Sequence, residues 1–293
     1  MSRLFVLSLL LPAPVFAQSA DDKQAAIKFL ASLQQPDGGF IPGPSDPGVR
    51  VTPKSSLGAT SGAVRAIKYL GGEIPNRDKA RAFVKSCFSA ETGAFAGAPG
   101  GKAETATTAI GLMAMAELEL GFAVDKSVKY LADNSRTFEE RRLAVAGMEA
   151  AKQFARQVKD WLAEIEKTRN PDGSYGKGDG QARETGGVAA MILRSGNTLS
   201  DVHRTAIVAA LQAGQRPDGG FGKAGTKMSD AETTYRVMRA FHLLKEKPQD
   251  VPKLMEFLAR HRNADGGYGT APGQPSTVSG TYYVAIIGYW LGK

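Results

Sequence analysis

The chain has 293 residues, 42% of them hydrophobic, and a formal charge of +8, enough apolar material for one large core or two small ones. Its Lys and Arg residues are scattered along the chain and not run together. No RNA- or DNA-binding signature accompanies them, so they read as a solvated basic surface, not a nucleic-acid site. Cys87 is the only cysteine, which excludes an intrachain disulfide.

Residues 1–17 carry the marks of a secretory signal peptide. Arg3 gives a positive start, Leu4 to Leu11 an apolar run, and Val15-Phe16-Ala17 a cleavage site before Gln18. The run is too short to span a bilayer. The expectation is export of the mature chain, residues 18–293, to a periplasmic or secreted destination. Helices and loops then alternate. Ala26, Phe29, Leu30 and Leu33 make the i, i+3, i+4, i+7 stripe of an amphipathic helix. It ends at Gln35-Pro36-Asp37-Gly38-Gly39-Phe40. A linker then leads through Lys54-Ser55-Ser56 into an apolar helix around Ala63 to Ile67.

The second unit repeats the stripe with Ala80, Phe83, Val84 and Cys87, which makes Cys87 a small buried residue. A fainter loop, Glu91-Thr92-Gly93-Ala94-Phe95, precedes Glu104 to Thr108 and a helix at Ile110-Gly111-Leu112-Met113. The third has Val124, Val128 and Leu131 but no Gly-Gly loop, and runs directly into Phe138 and the helix beyond it. The fourth keeps Trp161 and Ile165, then Asn170-Pro171-Asp172-Gly173-Ser174-Tyr175, and enters its second helix at Glu184-Thr185-Gly186-Gly187. The fifth has Ile207, Ala210, Leu211 and Gly214, the loop Arg216-Pro217-Asp218-Gly219-Gly220-Phe221-Gly222, and the entry Ser229 to Thr234. The sixth has Leu254, Phe257, Leu258 and His261, then Asn263-Ala264-Asp265-Gly266-Gly267-Tyr268, and the entry Ser276 to Gly280. His261 holds a place in the stripe and reads as packed, whereas His203, at a helix start, reads as solvent-exposed.

The loop chemistry is that of a helix stop. Asp bonds the backbone ahead of it, Gly takes positive φ, and the aromatic pins the loop to the body. Loop aspartates 172, 218 and 265 lie 46 and 47 residues apart, a repeat spacing. The second helix of each pair is apolar nearly all round and so belongs inside. The expected fold class is all-α: a single α/α toroid of six helical hairpins, in inner and outer rings.

Helix, Asp-Gly-Gly-aromatic loop and Thr-rich inner-helix entry together resemble the prenyltransferase and squalene-cyclase repeat family over residues 22–293. That resemblance implies six helix pairs around a largely apolar cavity. Protein prenyltransferases of the family show Lys-x-x-Asp-x-Cys-Tyr after the fifth loop, with Asp and Cys ligating zinc. Here Lys227 and Asp230 match, Glu232 stands at the Cys, and Gly280 falls near the third ligand. Only Asp230 matches a ligand, so the zinc site is not preserved and no cofactor is expected. Class II cyclases of the family show Asp-x-Asp-Asp-Thr, whose acid protonates the substrate. Asp230-Ala231-Glu232-Thr233 keeps two acids of that pattern.

Asp230 and Glu232 are therefore the candidate catalytic acids. The alternative reading is a capping box, Ser229 with Glu232, and Asp230 favourable at the helix start. Lys223 and Lys227 are candidates to grip a diphosphate, or else solvated loop charges. Glu184 and Thr185, where the family holds diphosphate, and Tyr235 and Tyr282 on inner helices complete the candidate ligand contacts. The resemblance implies binding, and in enzymes of the family transformation, of an isoprenoid or other long apolar molecule. Two other readings stay open: a non-catalytic binding or scaffold toroid, and a glycan-active toroid with paired carboxylates across a groove. The expected partner is a hydrophobic small molecule, with a weak pull toward an anionic membrane surface and no nucleic acid.

Overall fold

The computed structural model describes residues 19–44, 53–121 and 123–292; the expected signal segment lies outside them. Among the described residues, twelve α-helices alternate between two rings. The outer ring is α1 (Ala20–Ser32), α3 (Arg77–Ser86), α5 (Asp125–Asn134), α7 (Gln157–Glu166), α9 (Asp201–Ala213) and α11 (Val251–Ala259). The inner ring is α2 (Leu57–Tyr69), α4 (Thr105–Leu118), α6 (Phe138–Ala150), α8 (Gln181–Arg194), α10 (Ala231–Leu244) and α12 (Val278–Leu291). Each inner helix packs on the next, and α12 packs back on α2, so the array closes. This is the all-α toroid that the repeats predict. No helix among the described residues is long and apolar enough to cross a membrane.

The inner helices are buried because they are walled on several sides. In α2, Ala63, Val64, Ala66 and Ile67 are all fully buried. The outer helices bury only their stripe: Phe29 and Leu30 in α1, Phe83 and Val84 in α3, Phe257 and Leu258 in α11. In α9 the stripe narrows to Ile207 and Leu211, with Ala210 and Gly214 half-buried.

The loops fasten one hairpin to the next. Asp218 accepts from the Gly220 amide (3.1 Å) and from the Ser229 hydroxyl (2.8 Å), and Asp37 and Asp265 do the same with Gly39 and Ser55, Gly267 and Ser276. The aromatic amide that follows donates to a threonine in the first turn of the inner helix: Phe221 to Thr234, Tyr268 to Thr281, Tyr175 to Thr185. Those bonds explain the Thr-rich entries. The inner helices that accept these bonds therefore start at the loop end of the ring, with their N-terminal dipole ends there.

Gly219 has φ +91°, and a Cβ there would lie 2.1 Å from the Lys253 carbonyl oxygen. The loop thus presses directly on the next outer helix. Gly266 makes the same approach to Ala25 of α1, and the Val278 amide donates to the Pro42 carbonyl at 2.8 Å. The last hairpin is in this way tied to the first.

Two local expectations change. The N-cap of α10 is Asp230, whose carboxylate accepts from the Thr233 amide at 2.8 Å. Ser229 instead serves the loop, because Asp218 lies within its reach. His203 is half-exposed and not fully solvated: its ring packs on Tyr175 with centroids 5.9 Å apart, and Nε2 lies 3.3 Å from the Tyr175 hydroxyl. His261 and Cys87 are buried, and burial pushes the Cys87 thiol up to about 11, so it is no thiolate at neutral pH.

Candidate functional site

A cavity of about 270 Å³ occupies the centre of the ring, lined by residues of all six inner helices. Most of its wall is apolar, as the resemblance implies, but that wall also carries arginines that the resemblance does not imply. Arg65 of α2, Arg142 of α6, Arg194 of α8, and Arg236 and Arg239 of α10 all face it. The apolar side chains on the α4–α6 side are Ile110, Met113, Leu143 and Ala146.

At the loop end the arginines are paired. Glu139 of α6 accepts from Arg142 (2.9 Å) and Arg236 (2.7 Å), and Arg183 stands 3.9 Å away. Glu232 accepts from Arg236 (2.7 Å) and Lys223 (3.3 Å). Partial burial would raise both carboxyls, but the surrounding cations outweigh it and hold both below the usual carboxylate range. At the far end Arg194 faces Glu149 at 3.5 Å and Arg65 faces Glu117 at 3.7 Å.

Between these ends the Tyr235 and Tyr282 hydroxyls meet at 2.8 Å. The Arg239 guanidinium lies 4.3 Å from the Tyr235 ring centre, and Arg65 lies 5.0 Å from that of Tyr282. Burial raises a phenol's pKa, yet here the charges of Arg239, Arg65 and Arg194 prevail and pull Tyr235 well below its ordinary value. Tyr282 moves up, through burial and the negative charge of its partner. Arg142 is brought down to about 10 by burial and by Arg239 and Arg236, and stays charged at neutral pH.

Arg239 is only 9% exposed and has no carboxylate partner among the described residues; its Nε, like those of Arg65, Arg142 and Arg194, is buried without a hydrogen bond. A buried cation without a carboxylate beside it is costly to keep.

The structure brings Glu232, Tyr235 and Tyr282 together on this cavity and places Lys223 at its rim. Asp230 lies off the cavity, with its carboxylate held by the Thr233 amide and hydroxyl. Lys227 is exposed on the loop before α10. Thr185 is fully buried, and its hydroxyl is bonded to the backbone of Tyr175. Glu184 lines a separate surface hollow with Tyr175 and Phe138. The arginines and Glu139 went unread in the sequence because each looked like one more scattered charge. The available signal was an Arg in the middle of helices otherwise apolar all round, such as Arg65 between Val64 and Ala66.

The positions matched to family zinc ligands have other roles in this structure. Asp230 caps a helix, Glu232 is paired to two cations, and Gly280 has no donor side chain. Among the described residues no group of three His, Cys, Asp or Glu could hold a metal.

The model of the prenyltransferase alpha-alpha toroid domain matches residues 4–150 and 141–289. The chain belongs to that family. Among solved structures it is similar to a variant of the type II terpene cyclase MstE from Scytonema, in complex with its substrate geranylgeranyl dihydroxybenzoate. The TM-score is 0.64 at 12% identity, over 93% of this chain and 96% of that one. It is similar also to Candida albicans protein geranylgeranyltransferase-I complexed with GGPP (TM-score 0.64, 12% identity, 79% and 82% covered). The ent-copalyl diphosphate synthase of Streptomyces platensis follows at a TM-score of 0.52 and 15% identity, over 98% of this chain and 70% of that one. At such identities the likeness is one of fold. A comparison with curated proteins returns no match.

Proposed function

We propose that this toroid binds a small amphipathic anion at the centre of its ring, the short-chain isoprenyl phosphates and diphosphates being the class that fits best. One observation carries the reading: Arg239 is buried, faces the cavity and has no carboxylate partner among the described residues. The head group would sit among Arg65, Arg194 and Arg239, and the hydrocarbon against Ile110, Met113, Leu143 and Ala146. The isoprenoid part of the proposal leans on family membership and on relatives solved with geranylgeranyl ligands.

The volume argues for a short chain. At about 270 Å³ the cavity lies just under the range of about 300–1,000 Å³ usual for small-molecule pockets. Acid-initiated cyclisation finds little support, because Arg236 and Lys223 hold Glu232 ionised when an alkene-protonating acid must carry its proton. An open groove with paired free acids, which glycan chemistry wants, is not this arginine-lined chamber. We propose binding without a cofactor, in a protein exported after cleavage near Ala17.

Calorimetry with dimethylallyl diphosphate and geranylgeranyl diphosphate tests the reading. The short ligand should bind, and Arg239→Met should weaken it at least tenfold, the loss of one charged contact to a buried anion. Binding of the long chain alone, or of neither, would overturn it. Recovery of a chain beginning at Gln18 from the exported fraction would test the localisation.

A further inference from the structure

The two tyrosines at the heart of the cavity sit against cations they have no structural need to meet. The Tyr235 ring already has stacking partners in Tyr283 (4.9 Å) and Trp290 (5.7 Å), and a phenylalanine would keep them. Among the described residues the hydroxyl adds a hydrogen bond only to Tyr282, itself a hydroxyl. What the pair offers that two phenylalanines would not is a removable proton beside Arg239 and Arg65.

We propose that the Tyr235–Tyr282 pair is the cavity's exchangeable counter-anion: it shares a single proton while no ligand is bound, and takes up a second when an anionic ligand replaces it beside Arg239 and Arg65. This deepens the anion-binding reading and rests on it. The balance is one of charge and one proton. Ligand anion, tyrosinate pair and a solvent proton give a complex in which both phenols are neutral and the arginines face the ligand's charge.

Every element packed on the pair contributes to that balance. From α2 comes Arg65, facing Glu117 of α4 at 3.7 Å, from α6 Arg142, paired with Glu139, and from α8 Arg194, facing Glu149 of α6 at 3.5 Å, while α4 lines the cavity itself with Ile110 and Met113. α10 itself carries Glu232, Arg236 and Arg239, with His242 beyond Trp290, its ring centroid 5.0 Å from the indole's. α12 adds Tyr283, which burial pushes up to about 12 and which therefore stays neutral. Glu232 stays charged through the neutral range, and Arg142 does so up to about 10. Tyr235, at about 7, is left as the group that exchanges near neutrality.

The linkage has a definite sign. Binding requires a proton only above the pKa of the free pair, so affinity is flat below it and falls about tenfold per pH unit above it. Hexane-1-sulfonate is a suitable probe, since its head stays ionised throughout and its tail is short. Calorimetry at about pH 8 in two buffers of unlike ionisation heat should show about one proton taken up per sulfonate bound. The ultraviolet tyrosinate band of the ligand-free protein should be present at that pH and vanish on binding. Tyr235→Phe should lose the band, the proton uptake and the pH slope while still binding the probe, and Tyr130→Phe on α5 should change none of them. Should Tyr235→Phe fold poorly, Tyr282→Phe should move the band to higher pH, because it removes the hydroxyl that donates to the tyrosinate. Sulfonate binding with neither band nor uptake would overturn the exchange and leave the anion site standing. A band without any sulfonate binding would overturn the anion site, and the exchange with it.

Discussion

Arg239 separates what stabilises this molecule from what the site is for. It is 9% exposed, rests on the Tyr235 ring and has a buried Nε without a partner. Replacing such a charge by an apolar side chain of similar length removes a desolvation cost and keeps the packing of the stem. Arg239→Met should therefore leave the protein as stable, or up to about 2 kcal/mol more stable, in urea unfolding. The same variant should lose anion binding. A residue kept only for the fold would show the opposite pattern, with stability lost and binding unchanged. Sequence reasoning singled out three residues that line the cavity, Glu232 for its place in a motif and Tyr235 and Tyr282 as aromatics on inner helices. It passed over Arg65, Arg142, Arg194 and Arg239 because no local pattern tells an inward arginine from a solvated one. They come from four helices far apart in the chain and meet only once the ring has closed.

Within a hairpin, the helix stripes and stop loops were legible because their causes are local: hydrophobic period, Asx turn, positive φ. The capping of α10 was legible only in part, since Ser229 could be assigned to the loop only with Asp218 in view. A pair of glycine substitutions measures how much of the loop is contact and how much is backbone. Gly196 has φ +78° with nothing within 4 Å of a built Cβ, so Gly196→Ala should cost only the left-handed penalty, about 1–2 kcal/mol. Gly219→Ala meets the Lys253 carbonyl as well and should cost clearly more, about 3 kcal/mol or above, in denaturant unfolding. Equal costs would remove the loop-to-helix contact as a source of stability. A histidine in the stripe of α11 makes a second element-scale prediction. His261 donates from Nδ1 to the Phe257 carbonyl at 2.8 Å, while Nε2 is buried without a partner, and burial lowers its pKa. Below the unfolded value of about 6.5 the unfolded chain binds a proton that the folded one resists. Stability should thus fall as pH drops below that point, by at most about 1.4 kcal/mol per pH unit for this one group. The slope should shrink in His261→Leu, the residue that the first repeat carries at the same place, Leu33.

At the scale of the whole molecule, closure distinguishes this ring from an open stack of hairpins. In an open array each repeat depends on its two neighbours, and the terminal repeats fray independently. Here the first outer helix supports the last loop. Phe29 of α1 is 6% exposed, and a Cβ on Gly267 would lie 2.7 Å from its ring; Asp22 of α1 also pairs with Arg262 at 2.8 Å. The internal counterpart is Phe83 of α3, seated on Gly39 in the same way. Phe29→Ala should therefore cost as much as Phe83→Ala, about 3–5 kcal/mol for a buried aromatic. Its signature lies in where protection is lost. Amide hydrogen exchange should quicken in α12 and in the loop at 263–277, at the far end of the chain, as well as in α2. An open superhelix would confine the change to the first hairpin and leave α12 protected. The cavity depends on the same closure, because α12 supplies Tyr282 and α2 supplies Arg65, and these meet only across the seam. Phe29→Ala should accordingly weaken anion binding although Phe29 lies in the outer ring, whereas Leu131→Ala in α5, of similar burial but away from the seam, should cost stability with a smaller effect on binding.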